Sequence, residues 1–170
     1  PLVAGLAGLV KTQNPGWSID QVREQIRVNC ISIDASNPSY SGLLGKGKIN
    51  ALRAVTNFSS PAIRILGNSF TDSGGDGIIN SGETVDLQVS FTNYLTPASN
   101  VSFTLSESDT NITVTTPNGQ ISSFNTNDSL EVSFQFQVSQ GLADGYVLRF
   151  VINTSSSCYS DRELLQLIVN

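Results

Sequence analysis

Leu130-Glu131-Val132-Ser133-Phe134-Gln135-Phe136-Gln137-Val138 alternates apolar and polar residues without a break. A period of two sends successive side chains to opposite faces of an extended chain, so this stretch predicts a strand with one face in a core and one in water. The same alternation runs through Val85, Leu87, Val89 and Phe91, and through Val101, Phe103 and Leu105. It returns at Tyr146, Leu148, Phe150 and Ile152, and again at Leu165, Leu167 and Val169. Shorter runs at Ile63 to Leu66, Ile112 to Val114 and Ile121 to Phe124 bring the expected total to about eight strands, a number that suits a sandwich. Asn118-Gly119 and Asp144-Gly145 read as hairpin turns between them.

Upstream of these strands the pattern changes. Pro1 to Thr12 is small and apolar almost all round, which predicts a buried helix. Ser18 with Gln21 forms a capping box, and Trp17 with Val22 a hydrophobic staple, so a second helix starts there with Ile19, Val22 and Ile26 on one face. A glycine-rich loop at residues 42–47 leads to a short helix from Asn50, its cap, to Val55. The charge changes sign as well: residues 1–60 carry a net +3 and residues 61–170 a net −8. The boundary falls at Ser59-Ser60-Pro61, giving a helical unit over residues 1–60 and a β unit over residues 61–170.

Composition narrows the classes. The 170 residues are 39% hydrophobic and 14% charged, with a net charge of −5, enough apolar material for a core and too acidic for a nucleic-acid surface. No apolar run approaches the roughly 20 residues of a membrane-spanning helix. There is no histidine, so this chain by itself assembles no Ser-His, Cys-His or His-metal site. There is no methionine either, and the chain is read as a piece of a longer one. Cys30 and Cys158 are the only cysteines, and both a bridge between the units and two buried free thiols remain open. Five Asn-x-Ser/Thr sequons, at Asn57, Asn100, Asn111, Asn127 and Asn153, are what a chain rich in these residues produces by chance.

One motif carries chemistry. Asp72-Ser73-Gly74-Gly75-Asp76-Gly77-Ile78-Ile79-Asn80-Ser81-Gly82-Glu83 matches the twelve-residue calcium loop at position 1 (Asp72), 5 (Asp76), 6 (Gly77), 9 (Asn80) and 12 (Glu83). Calcium takes six to eight oxygens, and a tightly turned loop gathers carboxylates, the Ile78 carbonyl and a final glutamate around one ion. Position 3 is Gly74, which costs one ligand. The expected site is a structural Ca2+ held by Asp72, Asp76, Ile78, Asn80 and Glu83; a plain acidic turn is the other reading.

The first unit also carries a family resemblance. Pro1-Leu2-Val3-Ala4-Gly5-Leu6-Ala7-Gly8-Leu9-Val10 resembles the helix behind the nucleophile of subtilisin-like serine peptidases. Asn14-Pro15-Gly16-Trp17-Ser18, with Gln21-Val22, resembles the loop and helix start that follow in that family, and Gly45-Lys46-Gly47-Lys48-Ile49-Asn50-Ala51 its Gly-x-Gly-x-Val-Asn-Ala segment. The resemblance covers residues 1 to about 57 and implies that the catalytic Ser, His and Asp lie upstream, leaving no catalytic or cofactor-binding residue here. The implied fold is mainly β: an antiparallel immunoglobulin- or jelly-roll-like sandwich preceded by a short α-helical remnant of a subtilisin-like α/β domain. The implied parent is a secreted, bacterial serine endopeptidase, extracellular or on the cell surface. It would act on protein or peptide substrates through its catalytic domain, with the sandwich as an accessory or stabilising domain. The helices of residues 1–57 lack the sheet they would cover, so their apolar faces are expected to dock on the sandwich, on a second copy of the chain by self-association, or on the absent catalytic fragment. The competing class is a non-enzymatic extracellular binding or adhesion module, whose sugar-binding form needs exposed aromatics.

Overall fold

The structure, a computed structural model, describes residues 1–107 and 109–170. Two compact units emerge. The first comprises Pro1–Ala62 with Asn93–Pro97 and Asn125–Asn127; the second comprises Ile63–Thr92, Ala98–Phe124 and Asp128–Asn170.

The first unit holds helices α1 (Leu2–Gln13), α2 (Ile19–Val28) and α3 (Ala51–Thr56). The capping box forms as the sequence predicts: Ser18 Oγ accepts from Gln21 N and Gln21 Oε1 from Ser18 N. Asn50 caps α3 through Arg53 N. Leu6, Val10, Val22, Ile26 and Ala54 make the core, with Trp17 packed against it. Polar groups close the rest. Gln25 Nε2 donates to the Ala54 and Asn57 carbonyls, and Asn29 and Asn57 bond each other, so the end of α3 is satisfied by side chains of α2. The free amide of Gln21 donates to Tyr94 O, drawing residues 93–97 into this unit.

Two helical expectations are corrected. α1 is buried only along Leu6 and Val10, one i,i+4 stripe; Leu2 is 81% exposed, and Val3, Gly5, Gly8 and Leu9 are exposed with it. That stripe, with Ala7 beside it, suffices to pack α1 on α2 and α3. On α2 the stripe runs through Val22 and Ile26, while Ile19, at the first helical position, is 86% exposed.

The second unit holds eight strands among the described residues: β1 (Ile63–Asp72), β2 (Thr84–Asn93), β3 (Ala98–Glu107), β4 (Ile112–Thr116), β5 (Asn118–Phe124), β6 (Ser129–Val138), β7 (Val147–Ser156) and β8 (Tyr159–Ile168). They form two antiparallel sheets, β1-β2-β6-β4 and β5-β3-β7-β8, in a mainly β, sandwich-like arrangement. Alternation sets the register: Val85, Leu87 and Val89 oppose Phe136, Phe134 and Val132, and all six are buried. Across the layers Phe91 meets Phe103 at 4.4 Å between ring centroids, and Phe136 meets Phe150 at 4.7 Å. Tyr146 lies just before β7 and is half-buried, its hydroxyl donating to Asp109 Oδ2 at 2.8 Å.

Neither expected hairpin forms. Asn118 and Gly119 lie inside β5, paired with Thr104 and Phe103 of β3, while β4 pairs with β6 in the other sheet. Gly119 is needed for close packing: a Cβ there would lie 2.2 Å from Val132 Cγ1. Asp144-Gly145 is a true turn, with Gly145 at φ 81° and Tyr146 N donating to Ala143 O, but it joins β6 to β7 across the sheets. The tight hairpin is between β7 and β8, where Ser156 opposes Tyr159 around Ser157 and Cys158.

Candidate metal loop and exposed helical face

Residues 72–83 form the connection from β1 to β2. Its neck is closed by Ser73 N to Thr84 O at 2.9 Å and Thr84 N to Ser73 Oγ at 3.2 Å. Its far side is anchored by Ile79, 1% exposed, whose carbonyl accepts from Asn170 N, and by Ser81 Oγ, which donates to Ser139 O and accepts from Leu142 N. The sequence gives no sign of these two anchors, because their partners are 58 or more residues away.

The five expected ligands fall into two groups. Asp72 turns into the loop and accepts from Gly75 N, from Asp76 N at 3.2 Å and from Gly77 N at 2.9 Å. Desolvation raises its pKa, and these backbone donors outweigh that, so its carboxyl stays ionised below the ordinary range. Glu83 accepts from Asn80 N through Oε2 at 2.8 Å and points Oε1 at Gly74. A Cβ on Gly74 would lie 2.2 Å from Glu83 Oε1 and 3.2 Å from Asp72 Oδ2. The glycine at position 3 is therefore the space on which two carboxylates converge. Asp76, Asn80 and Ile78 form the other group: Asp76 Oδ1 accepts from Ile78 N at 2.9 Å, while Asn80 Nδ2 reaches Asp76 Oδ2 at 3.4 Å and Ile78 O at 3.3 Å. Among the described residues no three His, Cys, Asp or Glu side chains converge as a metal site. The donor set is all oxygen, the kind calcium takes, with two of the three carboxylates brought together.

Next to the loop lies a neutral hollow of about 320 Å³ lined by Gly82, Thr113, Gln137, Val138, Ser139 and Gln140. Both cysteines are free thiols. Cys158 is exposed at the β7–β8 turn, which corrects the expectation of two buried thiols. Cys30 is half-buried, its Sγ 3.4 Å from Ile26 O, and burial pushes its pKa up, away from a reactive thiolate. Six phenylalanines of the sandwich, Phe91, Phe103, Phe124, Phe134, Phe136 and Phe150, are fully buried and so unavailable for stacking on sugar.

No family model matches the chain. Over 60 residues it is 40% identical to proteins named calcium-dependent protease from Trichormus variabilis and from a Nostoc species. That match takes in 32% of this chain and 9% of the length of each relative. Solved structures overlap it more loosely. The GAE domain of Gga2p from Saccharomyces cerevisiae aligns over 65% of this chain and 98% of its own, at 14% identity and a TM-score of 0.38. The VesB protease of Vibrio cholerae aligns over 61% of this chain and 31% of its own, at 17% identity and a TM-score of 0.34. No helix is long and apolar enough to cross a membrane.

Proposed function

We propose that the chain is the C-terminal part of a secreted subtilisin-like serine endopeptidase. Residues 1–60 close the catalytic domain behind its nucleophile, and residues 61–170 are an accessory β-sandwich that stabilises it. The observation that carries this reading is the 40% identity to calcium-dependent proteases. The exposed apolar side of α1, with Leu2, Val3 and Leu9, supports it, being the surface of a helix built to lie against a larger interior. The parent reaction is acyl transfer by a serine that a histidine and an aspartate activate. This chain has no histidine and supplies no proton relay; its part is to hold α1 in place through Leu6 and Val10. Protein or peptide substrates meet the parent at its catalytic domain.

Calcium belongs to the same reading. Asp72 and Glu83 would hold the ion beside Gly74, with the Asp76 and Asn80 side chains and the Ile78 carbonyl as further oxygens. Bound there, Ca2+ supplies a positive centre that pins the entry to the sandwich.

Two experiments test the proposal. The full-length parent should label with a fluorophosphonate probe and hydrolyse casein, with activity falling in chelator; a parent that does not label overturns the peptidase reading. The isolated chain should melt several degrees higher with calcium than with chelator, since an ion at 100 times its dissociation constant adds about 2.7 kcal/mol. Glu83→Gln should abolish that difference. Coincident melts in all conditions remove calcium and leave the peptidase reading to the labelling result.

A further inference from the structure

β1 is an edge of one sheet and β8 an edge of the other, and among the described residues no backbone ladder joins them. Side chains of β8 take its place. Ile63 N donates to the Tyr159 hydroxyl at 3.1 Å, and that hydroxyl also lies 3.0 Å from Ile63 O. The Tyr159 oxygen thus gives the Ile63 amide the acceptor that a paired strand residue would offer, while its single proton is shared between Ile63 O and the Asp161 carboxylate. Two residues on, Ile65 N donates to Glu163 Oε1 at 3.0 Å. Asp161 lies between them and accepts from the Tyr159 hydroxyl at 2.9 Å and from Arg162 N at 2.8 Å. Arg64 balances the two carboxylates, with Nη2 3.1 Å from Glu163 Oε2 and Nη1 3.8 Å from Asp161 Oδ2.

The periods match. Residues 63 and 65 send their amides to the same edge of β1, and residues 159, 161 and 163 share one face of β8. Further along that face Leu165 and Leu167 are buried as ordinary core. Tyr159 and Asp161 are just as buried, at 7% and 6% exposure, and burying polar groups costs stability unless they are bonded.

We propose that Tyr159, Asp161 and Glu163 are an edge lock: a row of side chains that stands in for the missing neighbour of β1 and keeps its amide edge from pairing with a second copy of the chain. An open edge is a template for strand addition, and two identical β1 edges can pair around a twofold axis. The lock occupies the amides of residues 63 and 65 with groups that cannot propagate a ladder.

Hydrogen exchange on the full chain, Glu163→Ala and Glu163→Gln tests this. In Glu163→Ala at low concentration the Ile65 amide should exchange about tenfold or more faster than in the parent, because a half-buried donor has lost its acceptor. Glu163→Gln keeps a carbonyl oxygen there and should stay near the parent. As the Ala variant is concentrated, protection of the Ile65 amide should return and sedimentation should show a species that the parent lacks. An Ile65 amide as slow in Glu163→Ala as in the parent overturns the lock. An amide that is fast at every concentration, with sedimentation unchanged, overturns the pairing. Amides of β3 and β7 serve as the folding control. If Glu163→Ala unfolds, Tyr159→Phe read at the Ile63 amide replaces it with the same outcomes.

Discussion

The two units handle apolar surface in opposite ways. The sandwich closes its core with its own residues: Val85, Leu87, Val89, Phe91, Phe136 and Phe150 are completely buried. The helical unit, with about two fifths of the chain, leaves Leu2, Val3, Leu9, Ile19, Leu43 and Leu52 more than half exposed. Scattered exposed leucines are ordinary on a soluble protein, but several on one small three-helix unit are not. The difference teaches that the sandwich encloses most of its apolar pattern within itself, while the helical unit leaves much of its own in water.

The sharpest way to break this comparison is to truncate matched side chains in the two units. Phe136→Ala removes a fully buried ring in contact with Phe150 and should cost about 3–5 kcal/mol in urea unfolding. Leu9→Ala on α1 should change stability by about 0.5 kcal/mol or less, because its side chain is already in water in the isolated chain. A large loss from Leu9→Ala would mean that α1 is covered in solution, by self-association or otherwise. The same substitution in the parent protein should cost more than in the isolated chain if a catalytic domain covers that face.

Next in size is Gly119→Ala. Its Cβ would meet Val132 Cγ1, and overpacking of this kind costs about 1–3 kcal/mol. A Gly119→Ala variant as stable as the parent would return Asn118-Gly119 to the open turn that the sequence predicts. Smaller again is Ser18→Ala in the helical unit, which removes one half of the capping box and should cost about 1 kcal/mol.

These substitutions also mark what was legible in the sequence. Alternation located β2, β3, β6, β7 and β8 because each has one buried face, and the capping box located α2 because its two bonds are local. The sheet partners were not legible. Asn-Gly marks a tight hairpin only when the flanking strands pair with each other, and here β4 and β5 belong to different sheets. The role of the row Tyr159, Asp161 and Glu163 is not legible for a related reason: its alternation is polar, and its partner β1 lies almost a hundred residues away. Within the acidic loop the candidate oxygen donors were legible. It did not show that Gly74 is the point where Asp72 and Glu83 meet, since that depends on how the loop folds back.

Acid should separate the two units by the smallest measurable margin. Asp109 accepts from Asn111 N at 2.9 Å and from the Tyr146 hydroxyl at 2.8 Å, and these bonds, the backbone one foremost, hold its pKa below the ordinary value. A carboxyl with a lowered folded pKa contributes stability that is fully present above its unfolded value of about 3.9 and is lost as pH falls through the folded one. Asp72 behaves in the same direction, and both belong to the sandwich. The acid limb should therefore be steeper for the sandwich than for the helical unit. The chain supplies the probes itself: its single tryptophan, Trp17, reports the helices, and strand circular dichroism reports the sandwich. Asp109→Asn should flatten the acid limb seen by dichroism and leave the Trp17 midpoint where it was. If the Trp17 midpoint moves by the same amount, the units unfold as one, and the helical unit draws on the sandwich for stability that its own small core does not provide.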